Sequence, residues 1–144
     1  MTRINSNIPV KQLTDEHLLA EHREIKRLPK CLEKSIQCGS INKLPNKFTL
    51  GTGHVKFFLD KQKFIYNRYR EIYDELINRG FEVEDYSDSW KNIDPKYFND
   101  YKPTKEEYEL LKQRINERIK ESPKNIWHYY KTKITKEKAM ELIP

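Results

Sequence analysis

Eight apolar residues, Val55, Phe58, Leu59, Ile65, Tyr69, Ile72, Tyr73 and Leu76, recur at helical steps between Thr52 and Arg79, and the pattern stops at Gly80. That period marks one face of an α-helix, and glycine after the last turn is a common stop. The spacing predicts one helix over 52–79, roughly 40 Å long at 1.5 Å per residue and enough to be the spine of a small domain. A second stretch opens at Thr14, a good N-cap, with Asp15 and Glu16 in the first turn where the helix dipole favours acids. Leu18, His22, Ile25, Leu28, Leu32 and Ile36 follow the same period; Pro29 should kink this helix and Gly39 should stop it. A third begins with Thr104-x-x-Glu107, a capping-box pattern. It turns Tyr108, Leu111, Ile115 and Ile119 inward and ends before Pro123, and a weaker pattern follows Thr135. Strand alternation nowhere lasts more than a few residues. The expected fold is all-α: a single compact domain over 1–144, three main helices, and long connections at 40–51 and 81–103.

Composition narrows the class. A chain of 144 residues fits one domain, and 12% aromatic content is too rich for a charged disordered tail. No apolar run approaches the ~20 residues of a membrane span, and Met1-Thr2-Arg3-Ile4-Asn5 lacks the apolar stretch of a signal peptide. Cys31 and Cys38 are seven apart, about 10.5 Å along a helix, too far for a disulfide. His17 and His22 are five apart and do not converge on one helical face. No zinc site, EF-hand, phosphate loop or nucleophile elbow is legible, so neither metal nor cofactor is expected. A soluble protein of a reducing compartment is the expectation.

The net charge of +6 is unevenly placed. Residues 112–138 hold nine Lys/Arg against three Glu, and residues 82–109 hold nine acids against four bases. This polarity fits a basic face meeting a polyanion, although a solvated helix surface would give the same count. Trp127-His128-Tyr129-Tyr130-Lys131 interleaves rings with cations, a pattern suited to stacking on bases beside phosphates; the same rings could equally close the core. On the first helix, His17, Ala20, Arg23, Glu24 and Arg27 share a face away from the apolar stripe. A carboxylate between two arginines reads either as a surface ion-pair row or as a catalytic acid among phosphate-binding cations.

Four separated blocks carry a resemblance. Met1 to Asn5 with Leu13-Thr-Asp-Glu-His17-Leu-Leu-Ala20-Glu-His-Arg23-Glu24 resembles the pyrimidine-dimer DNA glycosylase/AP lyase family, the phage endonuclease V type. Phe48 through Gly53-His54 to Lys61 is similar to that family's middle motif, and Arg79-Gly80-Phe81 to the end of its second helix. Arg114-x3-Arg118 and Pro123 through Tyr130 resemble its last helix and aromatic tail. The likeness spans about residues 1–131, leaving 132–144 as an expected C-terminal extension. His22 stands where an aromatic residue is usual.

The resemblance implies an N-terminal nucleophile, Thr2, once Met1 is removed. An α-amine, with a pKa near 7.7–8.0, is about one-tenth neutral at pH 7, hundreds of times more than a lysine, and only the neutral amine can attack a sugar C1′. The resemblance makes Glu24 the essential carboxylate and Arg3, Arg23 and Arg27 the phosphate clamp. It places His17 nearby, Arg114 and Arg118 on phosphates, and Trp127, Tyr129, Tyr130 and Lys131 on the damaged strand. The implied partner is double-stranded DNA holding pyrimidine dimers or abasic sites, bound by a monomer in the cytoplasm (the host's, if the source is viral). A non-catalytic basic DNA-binding protein of the same fold, or a glycosylase/lyase for other damaged or abasic sites, stays open beside this reading.

Overall fold

The computed structural model describes residues 4–51 and 53–144. Helix α1 spans Asp15–Ile25, capped by Thr14, whose Oγ1 accepts from the His17 amide at 3.1 Å. The helix expected to run on to Gly39 is interrupted at Lys26 and resumes as α2, Arg27–Cys38. Pro29 accounts for the position of the break. It has no N–H for the Ile25 carbonyl, and its ring would clash with that oxygen. In the first turn of a new helix, by contrast, the missing N–H costs nothing. Gly39 then ends α2 at φ 83°.

The expected 40 Å helix is also divided. A short α3 (His54–Phe58) precedes α4 (Gln62–Asn78), whose 17 residues span about 26 Å. The returning 81–103 connection explains the division. Lys61 forms a bridge with Phe98, the Phe64 amide donates to the Asn99 carbonyl, and Asn99 Nδ2 donates to the Asp60 carbonyl. Gln62, wholly buried, donates to the Leu59 carbonyl at 3.1 Å and accepts from the Trp90 indole at 3.1 Å. The apolar stripe survives the break, so periodicity does not reveal it. At the far end the Gly80 and Phe81 amides donate to the Ile77 and Leu76 carbonyls, closing α4 with Gly80 at φ 87°.

Thr104 caps α5 (Lys105–Glu121) by accepting from the Glu107 amide at 3.2 Å. The reciprocal half of the capping box is absent: the Glu107 carboxylate accepts from the Tyr101 hydroxyl instead. After α5 the fold departs from all-α. Strands β1 (Ile126–Tyr129) and β2 (Thr132–Thr135) pair antiparallel, and α6 (Lys136–Glu141) follows. Four-residue strands are too short for alternation to register in the sequence.

The hairpin turn places Tyr130 at φ 52° and Lys131 at φ 64°, where asparagine and glycine are usual. Asp15 at the start of α1 compensates. Its carboxylate accepts from the Tyr130 amide at 3.1 Å and the Lys131 amide at 2.7 Å. Behind the hairpin, Ala139 and Ile143 are core residues.

The core sits where α1 crosses α4, built from Leu18, Ile25, Ile65, Tyr69, Ile72 and Leu76, with Ile115 and Ile119 of α5 alongside. Two buried arginines tie it together. Arg68 grips Glu21 through two bonds of 2.9 and 3.0 Å and donates to the Ile8 carbonyl at 2.7 Å. Arg79 donates to Glu75 and Asp15, each at 2.9 Å, and to the Leu13 and Val10 carbonyls. Among the described residues, no helix is long and apolar enough to cross a membrane.

Candidate active site

A pocket forms where the N-terminal segment meets α1, the loop before α3, and α5. It is lined by Ile4, Asn5, His17, Ala20, Glu21, Leu50, His54, Leu111, Arg114, Ile115 and Arg118. Each wall has a local cause. Helical spacing puts His17, Ala20 and Glu21 on one side of α1, and puts Leu111, Arg114, Ile115 and Arg118 on one side of α5. Gly53 lets the loop close tightly on α3, because a Cβ there would lie 3.0 Å from Thr49 Cγ2 and 3.2 Å from Pro45 Cγ. That approach brings the Thr49 carbonyl to 3.0 Å from His54 Nδ1.

The N-terminal segment is fastened by buried polar groups. The Ile4 amide donates to His54 Nε2 at 3.0 Å, Asn5 Nδ2 donates to Glu21 Oε1 at 3.1 Å, and Arg68 takes the Ile8 carbonyl. Arg114 donates to the Leu50 carbonyl at 2.7 Å, tying α5 to the loop before α3.

The sequence-named residues distribute unevenly. His17, Arg114 and Arg118 line the pocket. Glu24 is half-buried on α1, one turn beyond Ala20, and Arg23 beside it is exposed. Arg27 does not share an unbroken helix with Glu24. It starts α2 beyond the interruption and lines a separate groove with Asp88 and Asp94. Thr2 and Arg3 lie outside the described residues.

The aromatic tail is engaged within the fold. Trp127 is only 7% exposed and stacks on His17, centroids 5.3 Å apart and planes within 3°. The Tyr129 and Tyr130 rings lie 4.8 and 4.6 Å from the Arg79 guanidinium carbon, and Tyr130 donates its hydroxyl to Glu75 at 2.7 Å. Lys131 Nζ reaches the Gly80 carbonyl at 2.7 Å. Of the two origins open for these rings, core closure describes Trp127. His22, in an aromatic position, packs as one against Tyr69 and Tyr86.

The match to known proteins now bears on the site. The family model for pyrimidine dimer DNA glycosylase matches residues 1–88, which include the N-terminal segment, α1 and His54. The chain belongs to the pyrimidine dimer DNA glycosylase family. The family match covers Glu24, Arg23, Arg27 and His17, while α5 and the hairpin lie beyond it.

The sequence assigned no role to Glu21, Arg68 or His54, although the first two left a trace and His54 stands within the middle motif. Glu21 and Arg68 fall on the apolar stripes of their own helices, where a charge needs a buried partner. Burial pushes the His54 and His22 imidazoles below the ordinary histidine value, with the Arg114 charge adding to the effect at His54. The unfolded chain therefore takes up protons first. Stability should be fully present above pH 6.5 and decline as pH falls below it, by at most about 1.4 kcal/mol per pH unit per histidine. Urea unfolding at pH 7.5 and 5.5 checks this, and equal stability at the two values would contradict it.

Proposed function

We propose that the protein is a bifunctional repair enzyme, acting through the Thr2 amine once Met1 is removed. It cuts a glycosidic bond of a cyclobutane pyrimidine dimer as a DNA N-glycosylase and then nicks the strand as an AP lyase. The observation that carries the reading is the fastening of the Ile4 amide at an arginine-walled pocket in a dimer-glycosylase family member. Two residues of chain separate the Thr2 amine from that amide, a reach of at most about 7 Å.

The neutral amine attacks sugar C1′, and the base leaves with the electrons of the glycosidic bond. Glu24, half-buried on α1 one turn beyond Ala20 of the pocket wall, stabilises the positive charge developing on the sugar. Loss of a proton from the amine and opening of the sugar ring give a Schiff base. Glu24 then accepts a C2′ proton, and the 3′ phosphate departs by β-elimination. Arg3, Arg23, Arg27, Arg114 and Arg118 hold phosphates of a kinked duplex whose base is turned out of the stack. Lys131 and the exposed edges of Tyr129 and Tyr130 extend that surface, whereas Trp127 serves by holding His17.

Incubation with ultraviolet-irradiated plasmid in chelator should nick it, and unirradiated plasmid should stay intact. No nicking of irradiated plasmid would leave a DNA-binding protein without chemistry; cutting confined to abasic plasmid would narrow the enzyme to a lyase. The duplex surface has its own test. Changing Arg114 and Arg118 together to Gln should flatten the slope of log affinity against log salt by roughly 2, at about −0.9 per phosphate contact. An unchanged slope would place the DNA on another face.

A further inference from the structure

We propose that His54 is a positioning residue for the reacting amine, holding the N-terminal segment in place through the Ile4 amide. The proposal rests on the Thr2 reading above, and its parts are geometric. His54 Nδ1 lies 3.0 Å from the Thr49 carbonyl, which can only accept, so Nδ1 carries the proton. Nε2 is therefore bare, and it accepts from the Ile4 amide at 3.0 Å. Both ring nitrogens are committed, and the tautomer is set by the loop rather than by the N-terminus.

The ring cannot swing away. It is 3% exposed and meets Phe48 and Phe58 at 83° and 86° between planes. A protonated ring would set two N–H groups against each other and release Ile4. The charged groups facing it are Arg114 of α5, which opposes protonation, and Glu21 of α1, which favours it. Glu21 is already shared between Arg68 and Asn5. The first described backbone donor of the chain thus ends on a rigid neutral acceptor, two residues from the amine. A shift of about 1 Å in a reacting group can cost about a hundredfold in rate, which is the reason for such rigidity.

The test compares wild type with His54→Gln and His54→Leu. Glutamine can put Oε1 near the position of Nε2, and leucine offers no acceptor. Two quantities are read: single-turnover borohydride trapping on an abasic-site duplex at saturating protein, and hydrogen exchange at the Ile4 amide. The Leu variant should trap about tenfold or more slowly, with fast Ile4 exchange and α4 amides still protected. The Gln variant should stay within about threefold and keep Ile4 protected. As pH falls through the native His54 value, which burial holds below the ordinary histidine range, the wild-type rate should fall more steeply than that of the Gln variant, because only wild type loses its acceptor by protonation.

A Leu variant within about twofold of wild type, or a Gln variant as slow as Leu, would overturn the proposal. If wild type forms no adduct, the amine chemistry fails with it; Ile4 exchange that still follows the order Leu, Gln, wild type would keep the anchoring, and equal exchange in all three would remove it. Should the Leu variant fail to fold, His54→Asn takes its place, its shorter amide being unable to reach Ile4.

Discussion

Glu24→Gln is expected to slow release of the damaged base by about 10²–10³-fold, the usual cost of deleting a preorganised electrostatic partner from a transition state. Fold and duplex affinity should persist. The residue is half-buried on α1, outside the stripe of Leu18, Glu21, His22 and Ile25 that packs into the core, and the change is isosteric. The loss should appear in the single-turnover rate with DNA at saturation, since the carboxylate acts on charge that exists only as the bond breaks. Gel-shift affinity for dimer-containing duplex should stay within about threefold. A variant that cleaves within about threefold of wild type would make Glu24 part of a surface ion-pair row, which contributes little.

Arg79→Met is expected to be the most destabilising single change, costing about 3–5 kcal/mol. Methionine keeps much of the volume but leaves Asp15 and Glu75, both at most 5% exposed, without their shared cation. It also removes the donor to the Leu13 and Val10 carbonyls and the plane against which Tyr129 and Tyr130 rest. Asp15 is the acceptor for both amides of the strained hairpin turn, so the hairpin should loosen with it. For a chain of this size the melting temperature should drop by roughly 10 °C or more. Thermal unfolding followed by circular dichroism reads this directly. A fall of only 2 °C would mean that the two carboxylates find other partners or protonate at little cost.

The contrast between these two residues shows what the sequence exposed and what it concealed. Helix-stop chemistry was legible: Gly39 and Gly80 stand at the ends of α2 and α4, and Thr14 and Thr104 cap α1 and α5. The interruptions were not, because an apolar stripe keeps its phase through a short break. Phe58 and Ile65 stay on one face although Asp60 and Lys61 leave the helix to meet Phe98 and Asn99. The hairpin escaped notice for a different reason. Its turn carries Tyr-Lys in place of the usual Asn-Gly, and it is made tolerable by a carboxylate more than a hundred residues away. Glu24, Arg23 and Arg27 stood out by helical spacing, and resemblance to a family gave them their roles. Glu21 and Arg68, which help to fasten the N-terminal segment, could have come from asking why charges fall on apolar stripes, whereas His54 stood in the middle motif without a role.

The proposed chemistry requires a covalent bond between the N-terminal amine and the sugar. It is tested most directly by borohydride reduction of the protein on ultraviolet-irradiated duplex, followed by peptide mapping of the adduct. One covalent adduct on the peptide that begins at Thr2, absent when the α-amine has been acetylated beforehand, is the predicted result. An adduct on a lysine, or one that survives acetylation undiminished, would contradict the account.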